Sequence, residues 1–313
     1  MNLQVLLSAI APVILILGLG FAAGKHKSFT ADQTGGLSRL ALQYALPAAL
    51  FLGMAHFDRH LLLRQGPVVI VMLIGYSVFF LAAYGILRLL RMDKLQAALF
   101  GYTVSSTAAP IYGLTVLVPI FGETVGTGIV GLSALVTNLA QVSIAILLLQ
   151  SAVTKQDSSP SVFATIGRSA MNPLVWAPVL GVIFALLDWR LSPLVSTGLR
   201  PLAVSAAGVA IFASGLTLAA FPMKLTSRAV ILGTLVCIVV KPGLFFLLIK
   251  GAHLTGTMVN ATFVASAMPT STLSVLLAQQ YGAYEAEIAG IMLLTTVGML
   301  VLVPASMALC ALL

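Results

Sequence analysis

The strongest constraint on this chain is a rhythm. Runs of twenty or more apolar residues, each closed by a few polar or charged ones, recur about ten times from end to end. A bilayer core about 30 Å thick is crossed by roughly 20 apolar residues in a helix. The runs fall at about 3–24, 35–56, 67–90, 96–121, 125–150, 162–187, 193–219, 228–250, 257–280 and 287–312. Their joins carry Pro, Gly and charge, as in "GKHKS", "RMDK" and "LDWRLSP". Only 8% of the 313 residues are charged and 60% are hydrophobic, too little charge to cover a soluble surface. The expected class is therefore an all-α membrane protein with ten transmembrane helices. The first run has no positive segment ahead of it and is followed by "KHK", the wrong polarity for a cleaved signal, so it reads as a retained helix. Cys237 and Cys310 both lie in apolar runs and read as small buried residues, with no disulfide or metal framework.

Basic residues set the orientation. Lys25, Lys27, Arg39, Arg88, Arg91, Lys94, Lys155, Arg168, Lys224 and Arg228 fall on one side of the runs. Arg59, Arg64, Arg190, Arg200 and Lys250 fall on the other. The excess of positive charge on cytoplasmic loops places the first set on the cytoplasmic side of the cell membrane and both termini outside. The net charge of +8 follows from this bias and from contact with membrane lipid, and calls for no nucleic acid. The most polar stretch, "SAVTKQDSSP" at 151–160, separates a first half (1–150) from a second (161–313), each with five runs. An odd number of crossings turns the second half over, so repeated halves would be inverted repeats, an arrangement common among secondary transporters.

The fourth run of each half contains residues that a lipid-buried helix tolerates poorly. One holds "SSTAAPIYG" (105–113) and the other "ASAMPTST" (265–272). Pro110 and Pro269 occupy matching places. Ser105, Ser106 and Thr107 surround the first, and Ser266, Thr270, Ser271 and Thr272 the second. Proline removes one helix hydrogen bond and collides with the preceding turn. Backbone groups freed at membrane depth must face protein or water. The pair predicts two discontinuous helices that cross near the midplane. Their half-helix N-termini would offer free N–H groups and positive dipole ends to an anion.

These residues resemble a known family. "AMPTSTLSVLLAQQYGA" (267–283), followed by "IMLLTTVGMLVLVP" (291–304), is similar to the C-terminal end of the auxin efflux carrier family. "YALPAALF" (44–51) and "NPLVWAPVLGVIFALL" (172–187) resemble its bacterial branch of malonate and other organic-acid carriers. The resemblance implies a ten-helix inverted-repeat carrier of sodium/proton-antiporter-like architecture, with a scaffold and a transport domain. It also implies a substrate site where helices 4 and 9 cross. The residues carried to that site are Ser106, Thr107, Pro110, Ile111, Tyr112, Pro269, Thr270 and Ser271. Asn138 and Gln141 of the fifth run, one turn apart on one face, join them as substrate contacts or as interhelical hydrogen-bonding residues. One departure stands out: members usually follow the first proline with Asn, and here Ile111 occupies that place. Either Tyr112, Ser106 or Thr107 supplies the missing donor, or the substrate differs.

All eight acidic residues (Asp32, Asp58, Asp93, Glu123, Asp157, Asp188, Glu285 and Glu287) fall at run ends or in loops. A cation or proton antiporter needs a carboxylate at depth, so that class is disfavoured. The basic residue deepest in its run is Lys241 in "LVCIVVKPGLFF", about 20 Å from Arg228 and roughly 13 Å from Lys250 along a helix. It reads either as a fixed charge that attracts the anion or steadies the crossing, or as a cap on carbonyls freed by Pro242 or by a broken helix. His26, His56, His60 and His253 sit near run ends as surface residues. The Gly20–Gly24 and Gly122–Gly126 spacings are too common in membrane helices to carry weight. No HExxH, GxSxG or P-loop marks an enzyme, and no metal or cofactor is called for.

The expected function is secondary transport of small organic anions by alternating access, without an enzymatic step. Partners are the anion and membrane lipid, with a possible homodimer through the scaffold. An ion-coupled symporter or antiporter of another solute on the same fold is the alternative, and a membrane sensor a further one.

Overall fold

A computed structural model describes residues 3–57, 59–153, 171–221 and 224–313. Asp58, most of the 151–160 linker and the beginning of the sixth run, with Lys155, Asp157 and Arg168, lie outside the described residues. The described chain is helical and contains no strand. The helices are α1 (Leu3–Lys25), α2 (Ala31–Ala55), α3 (Gly66–Leu89), α4a (Lys94–Ser105) and α4b (Ala109–Phe121). After them come α5 (Glu123–Val153), α6 (Pro173–Leu186), α7 (Pro193–Ala220) and α8 (Arg228–Gly251). The last are α9a (Thr257–Ser266), α9b (Thr272–Gln280) and α10 (Glu285–Leu309). Among the described residues, seven helices are long and apolar enough to cross a membrane: α2, α3, α4 with its halves taken together, α5, α7, α8 and α10. Described apolar lengths in α1 and α6 are shorter, at Ile10–Lys25 and Pro173–Leu186, and α9 is cut into two short pieces.

Helix starts follow local chemistry. Thr30 and Gln33 form a capping box, each side chain bonded to the other's backbone N–H, which starts α2 four residues before the apolar pattern does. Asp93 caps α4a by accepting from Gln96 N, and Ser192 and Ser227 cap α7 and α8 in the same way. Outward faces are apolar, with Leu15, Leu89, Leu194, Leu247 and Val301 all more than half exposed. Such a surface is at home in lipid and not in water.

Four long helices contain one π-helical turn each: Ala41–Ala45 in α2, Leu73–Val78 in α3, Val136–Gln141 in α5 and Val236–Val240 in α8. The extra residue breaks the regular hydrogen-bond ladder and rotates everything beyond it on the helix. Apolar periodicity alone does not reveal such turns.

The two main helix pairs on one side of the molecule depend on glycine. α1 packs on α7, where Gly20 and Gly24 face Phe212 and Ala219, and Gly215 faces Leu17 and Phe21. α6 packs on α2, where a Cβ on Gly181 would lie 2.8 Å from the Phe51 carbonyl oxygen. The Gly20–Gly24 spacing, weightless in the sequence, thus marks a real contact. Gly126 plays the same part between α5 and α4b, 2.7 Å from Val118 backbone atoms by the same construction. Gly20→Ala is expected to cost about 1–3 kcal/mol through backbone collision. Gly208→Ala in α7, where a Cβ meets nothing within 4 Å, should be neutral or stabilising by up to about 1 kcal/mol. Thermal unfolding of the two purified variants in detergent checks the contrast.

Candidate functional site

The breaks in α4 and α9 meet each other. Ala108 N donates to Pro269 O at 2.8 Å, joining the two interruptions through their backbones. The two prolines do different work. Pro110 lies in the first turn of α4b, where its missing N–H costs nothing, so the interruption itself falls before it, at 106–108. Pro269 lies within the link between α9a and α9b and contributes its carbonyl.

Hydroxyl groups answer the remaining freed backbone groups. Thr270 Oγ1 donates to Thr103 O at 2.5 Å. Its single proton is thereby committed, so in the 2.8 Å contact with Ser106 Oγ the donor is Ser106. Ser106 Oγ accepts in turn from Ser271 N at 3.2 Å. Ser274 Oγ completes the knot, 3.2 Å from Ser106 Oγ and 3.3 Å from Thr270 Oγ1. Thr107 Oγ1 reaches across to donate to Ala265 O at 3.1 Å. Two side chains of α8 also reach the crossing. Cys237 Sγ sits 3.7 Å from Val104 O, and Lys241 Nζ donates to Ser106 O at 2.9 Å and Met268 O at 3.1 Å. Lys241 is fully buried, and its bonds go to the two broken helices and not to carbonyls freed by Pro242.

Beside the crossing lies a cavity of about 440 Å³, within the range of small-molecule sites. One wall is formed by Thr107, Pro110 and Ile111 of α4 and by Ser271, Thr272 and Leu273 at the start of α9b. Thr137, Asn138 and Gln141 come from the π turn of α5. Ala41, Leu42 and Gln43 come from the π turn of α2. Asn172 at the head of α6 and Ser214 of α7 close the far side. Among the described residues, no charged side chain lines it. The N-terminal first turns of α4b and α9b open on it, so the local field is positive by helix-end dipoles alone.

Of the eleven residues singled out in the sequence, Thr107, Pro110, Ile111, Asn138, Gln141 and Ser271 line the cavity. Ser106, Pro269, Thr270 and Lys241 lie inside the crossing, and Tyr112 is buried among Ser214, Thr272 and Thr296, outside the lining. None of the three proposed replacements for an amide at position 111 is free for that task. Ser106 and Thr107 spend their protons on Thr270 and Ala265, and Tyr112 is not in the wall. Gln141 Nε2 donates to Tyr76 O and Ser105 Oγ, each at 3.0 Å, which makes it a brace between α5, α3 and α4a. Asn138 uses one N–H on Ala134 O and keeps a second amide hydrogen. Tyr102, whose hydroxyl lies near Ser271, and Asn172, whose Oδ1 caps Leu174 N, bring further donors to the wall. The sequence reading missed both. Asn172 stands within "NPLVWAP", where its cap position before proline was a readable signal, whereas Tyr102 carried none.

Described residues that are helical throughout, an apolar exterior and a cavity at two interrupted helices have the form of a membrane transporter. The sequence matches the membrane transport protein family (Mem_trans) over residues 5–307. The "Uncharacterized transporter YfdV" of Escherichia coli (strain K12) is 26% identical over 295 residues, covering 94% of each chain. A "Putative malonate transporter" of Rhizobium meliloti (strain 1021) is 24% identical over 289 residues, covering 92% of this chain and 90% of that one. This chain belongs to the membrane transport protein family, the auxin efflux carrier family of the sequence resemblance, and is a transporter and not an enzyme.

Ser106→Ala leaves Thr270, Ser274 and Ser271 N without their shared partner. The expected loss is about 1–3 kcal/mol of stability, read as a lower unfolding midpoint in detergent with no substrate present.

Proposed function

We propose that this chain is a secondary carrier of small organic anions, carboxylates such as malonate or related acids, working by alternating access with the substrate beside the α4/α9 crossing. One observation carries the reading: a cavity, lined by no charged side chain among the described residues, on which two half-helix N-termini open, with uncommitted donor capacity on Asn138. The name of the Rhizobium relative, a malonate transporter, supports a carboxylate. The contacting residues in this reading are Tyr102, Ile111, Asn138, Asn172 and Ser271. Ser106, Thr107, Pro269, Thr270 and Lys241 hold the crossing in shape.

The same reading takes the chain through the cell membrane ten times, as two inverted five-helix halves (1–150 and 161–313) joined by a cytoplasmic linker at 151–160, with both termini outside. Reciprocal packing supports it: α1 pairs with α7 and α2 with α6, the first helix of each half with the second of the other. So do the π turns of α3 and α8, the third helix of each half, beginning at Leu73 and Val236. A homodimer would form through the outer face of α2, α6 and α7, where Tyr44 and Trp176 stand about half exposed.

The test is current from protein in proteoliposomes on rapid addition of mono- and dicarboxylates, at equal pH and without sodium. A saturable current for an acid is expected. Asn138→Ala and Tyr102→Phe should each raise the half-saturating concentration about tenfold or more, the loss of a hydrogen bond to a charged group, with unchanged unfolding midpoints. Silence with every acid, repeated as labelled uptake under sodium and pH gradients, would reject the anion carrier.

A further inference from the structure

The crossing has a charge balance of its own. Two half-helices, α4a and α9a, end in it, and two, α4b and α9b, begin in it. Each C-terminal end carries about half a negative elementary charge and each N-terminal end about half a positive one. The N-terminal ends open on the cavity. Beyond the C-terminal ends, the carbonyls of Ser106 and Met268 converge on a single point, and the group at that point is Lys241 Nζ, 2.9 and 3.1 Å away. Two C-terminal ends sum to about one negative charge, and one ammonium matches it. No carboxylate among the described residues takes part. The described acidic residues Asp32, Asp93, Glu123 and Asp188 are exposed, and Glu285 and Glu287 sit at the N-terminal end of α10. The Lys241 side chain is not in the cavity wall, so the ammonium does not bind the transported solute directly.

A fully buried ammonium bonded to backbone carbonyls, with no acidic partner among the described residues, has the surroundings of a bound monovalent cation. We propose that Lys241 is a tethered cation: its ammonium fills a monovalent-cation site between the broken helices, and removing the side chain opens that site to free cations. The site follows from geometry alone. Its consequence for coupling rests on the carrier reading: a chain whose cation is covalently attached needs no sodium or potassium to assemble the crossing or to transport.

The atoms that Lys241→Ala removes are Cγ, Cδ, Cε and Nζ, the heavy atoms of propylamine. Unfolding midpoints of wild type, Lys241→Ala and Lys241→Met, all full length in detergent, are measured in choline chloride and then with sodium, potassium or n-propylammonium chloride at equal ionic strength. Lys241→Ala is expected to gain about 3–5 °C from n-propylammonium, or from sodium or potassium, at tenfold excess over the dissociation constant. Wild type and Lys241→Met, whose site is filled, should not respond. A Lys241→Ala protein that responds no more than wild type overturns the proposal. Should Lys241→Ala fail to survive purification in choline, recovery in n-propylammonium supports the site and failure to recover overturns it. Wild-type current in proteoliposomes should be unchanged when sodium and potassium are replaced by choline, and a current that needs either ion overturns the coupling consequence. Absence of any wild-type current sinks the carrier reading instead, and the melting series still decides the site.

Discussion

Backbone carbonyl groups released from a helix inside a membrane must find donors within the protein, because lipid offers none. This requirement governs the centre of the molecule. The breaks at 106–108 and 267–271 leave the carbonyls of Thr103, Ser106, Ala265, Met268 and Pro269 to be satisfied, and each has an identified partner. The partners are a hydroxyl, an ammonium or an N–H from the opposite break or from α8. Each break is therefore completed by the other, and neither half of the chain can build its interruption alone. The cavity, the orientation of the half-helix ends and the burial of Lys241 all follow from that mutual dependence.

Much of this was legible in the sequence, for identifiable reasons. Apolar run lengths located the long helices, because bilayer thickness leaves few alternatives. Two prolines among hydroxyls, at matching places in the two halves, located the breaks, where either proline alone would have fitted an ordinary kink. What the sequence could not say was which hydroxyl meets which carbonyl. Ser106 and Thr107 are neighbours of the same chemistry, yet one is enclosed in the knot and the other stands in the cavity wall. That difference depends on backbone direction across three residues without helical structure, and periodicity does not encode it. Likewise the π turns of α2 and α5 were invisible, although they bring Gln43 and Asn138 to the wall. Gln141 illustrates the same limit: its place on the correct face was readable, but its commitment to Tyr76 O and Ser105 Oγ was not.

Polar residues here are divided between building and binding. A hydroxyl on a helix in an apolar surrounding first satisfies a carbonyl one turn back, as Thr137, Ser214, Thr295 and Thr296 do. Only groups with capacity beyond such local bonds can meet a ligand. By that criterion the amides of Asn138 and Asn172 carry more recognition chemistry than the more numerous serines and threonines around them. In the proposed site, the donors beside Ile111 come from other helices and not from its neighbours in the chain.

One small feature fixes how two walls of the cavity meet. α4b and α5 are joined through the single residue Gly122, in the left-handed region at φ 86°, and Gly126 holds the two helices in close contact. The wall bearing Ile111 and the wall bearing Asn138 are therefore one rigid hairpin. The opposite wall, from Leu42, Asn172 and Ala210, belongs to α2, α6 and α7. Gly53 of α2 faces Thr127 of α5, and Gly131 of α5 faces Met54 of α2, so the hairpin is keyed to that side as closely as α4b is to α5. The width of the cavity is thus held by residues that have no side chain.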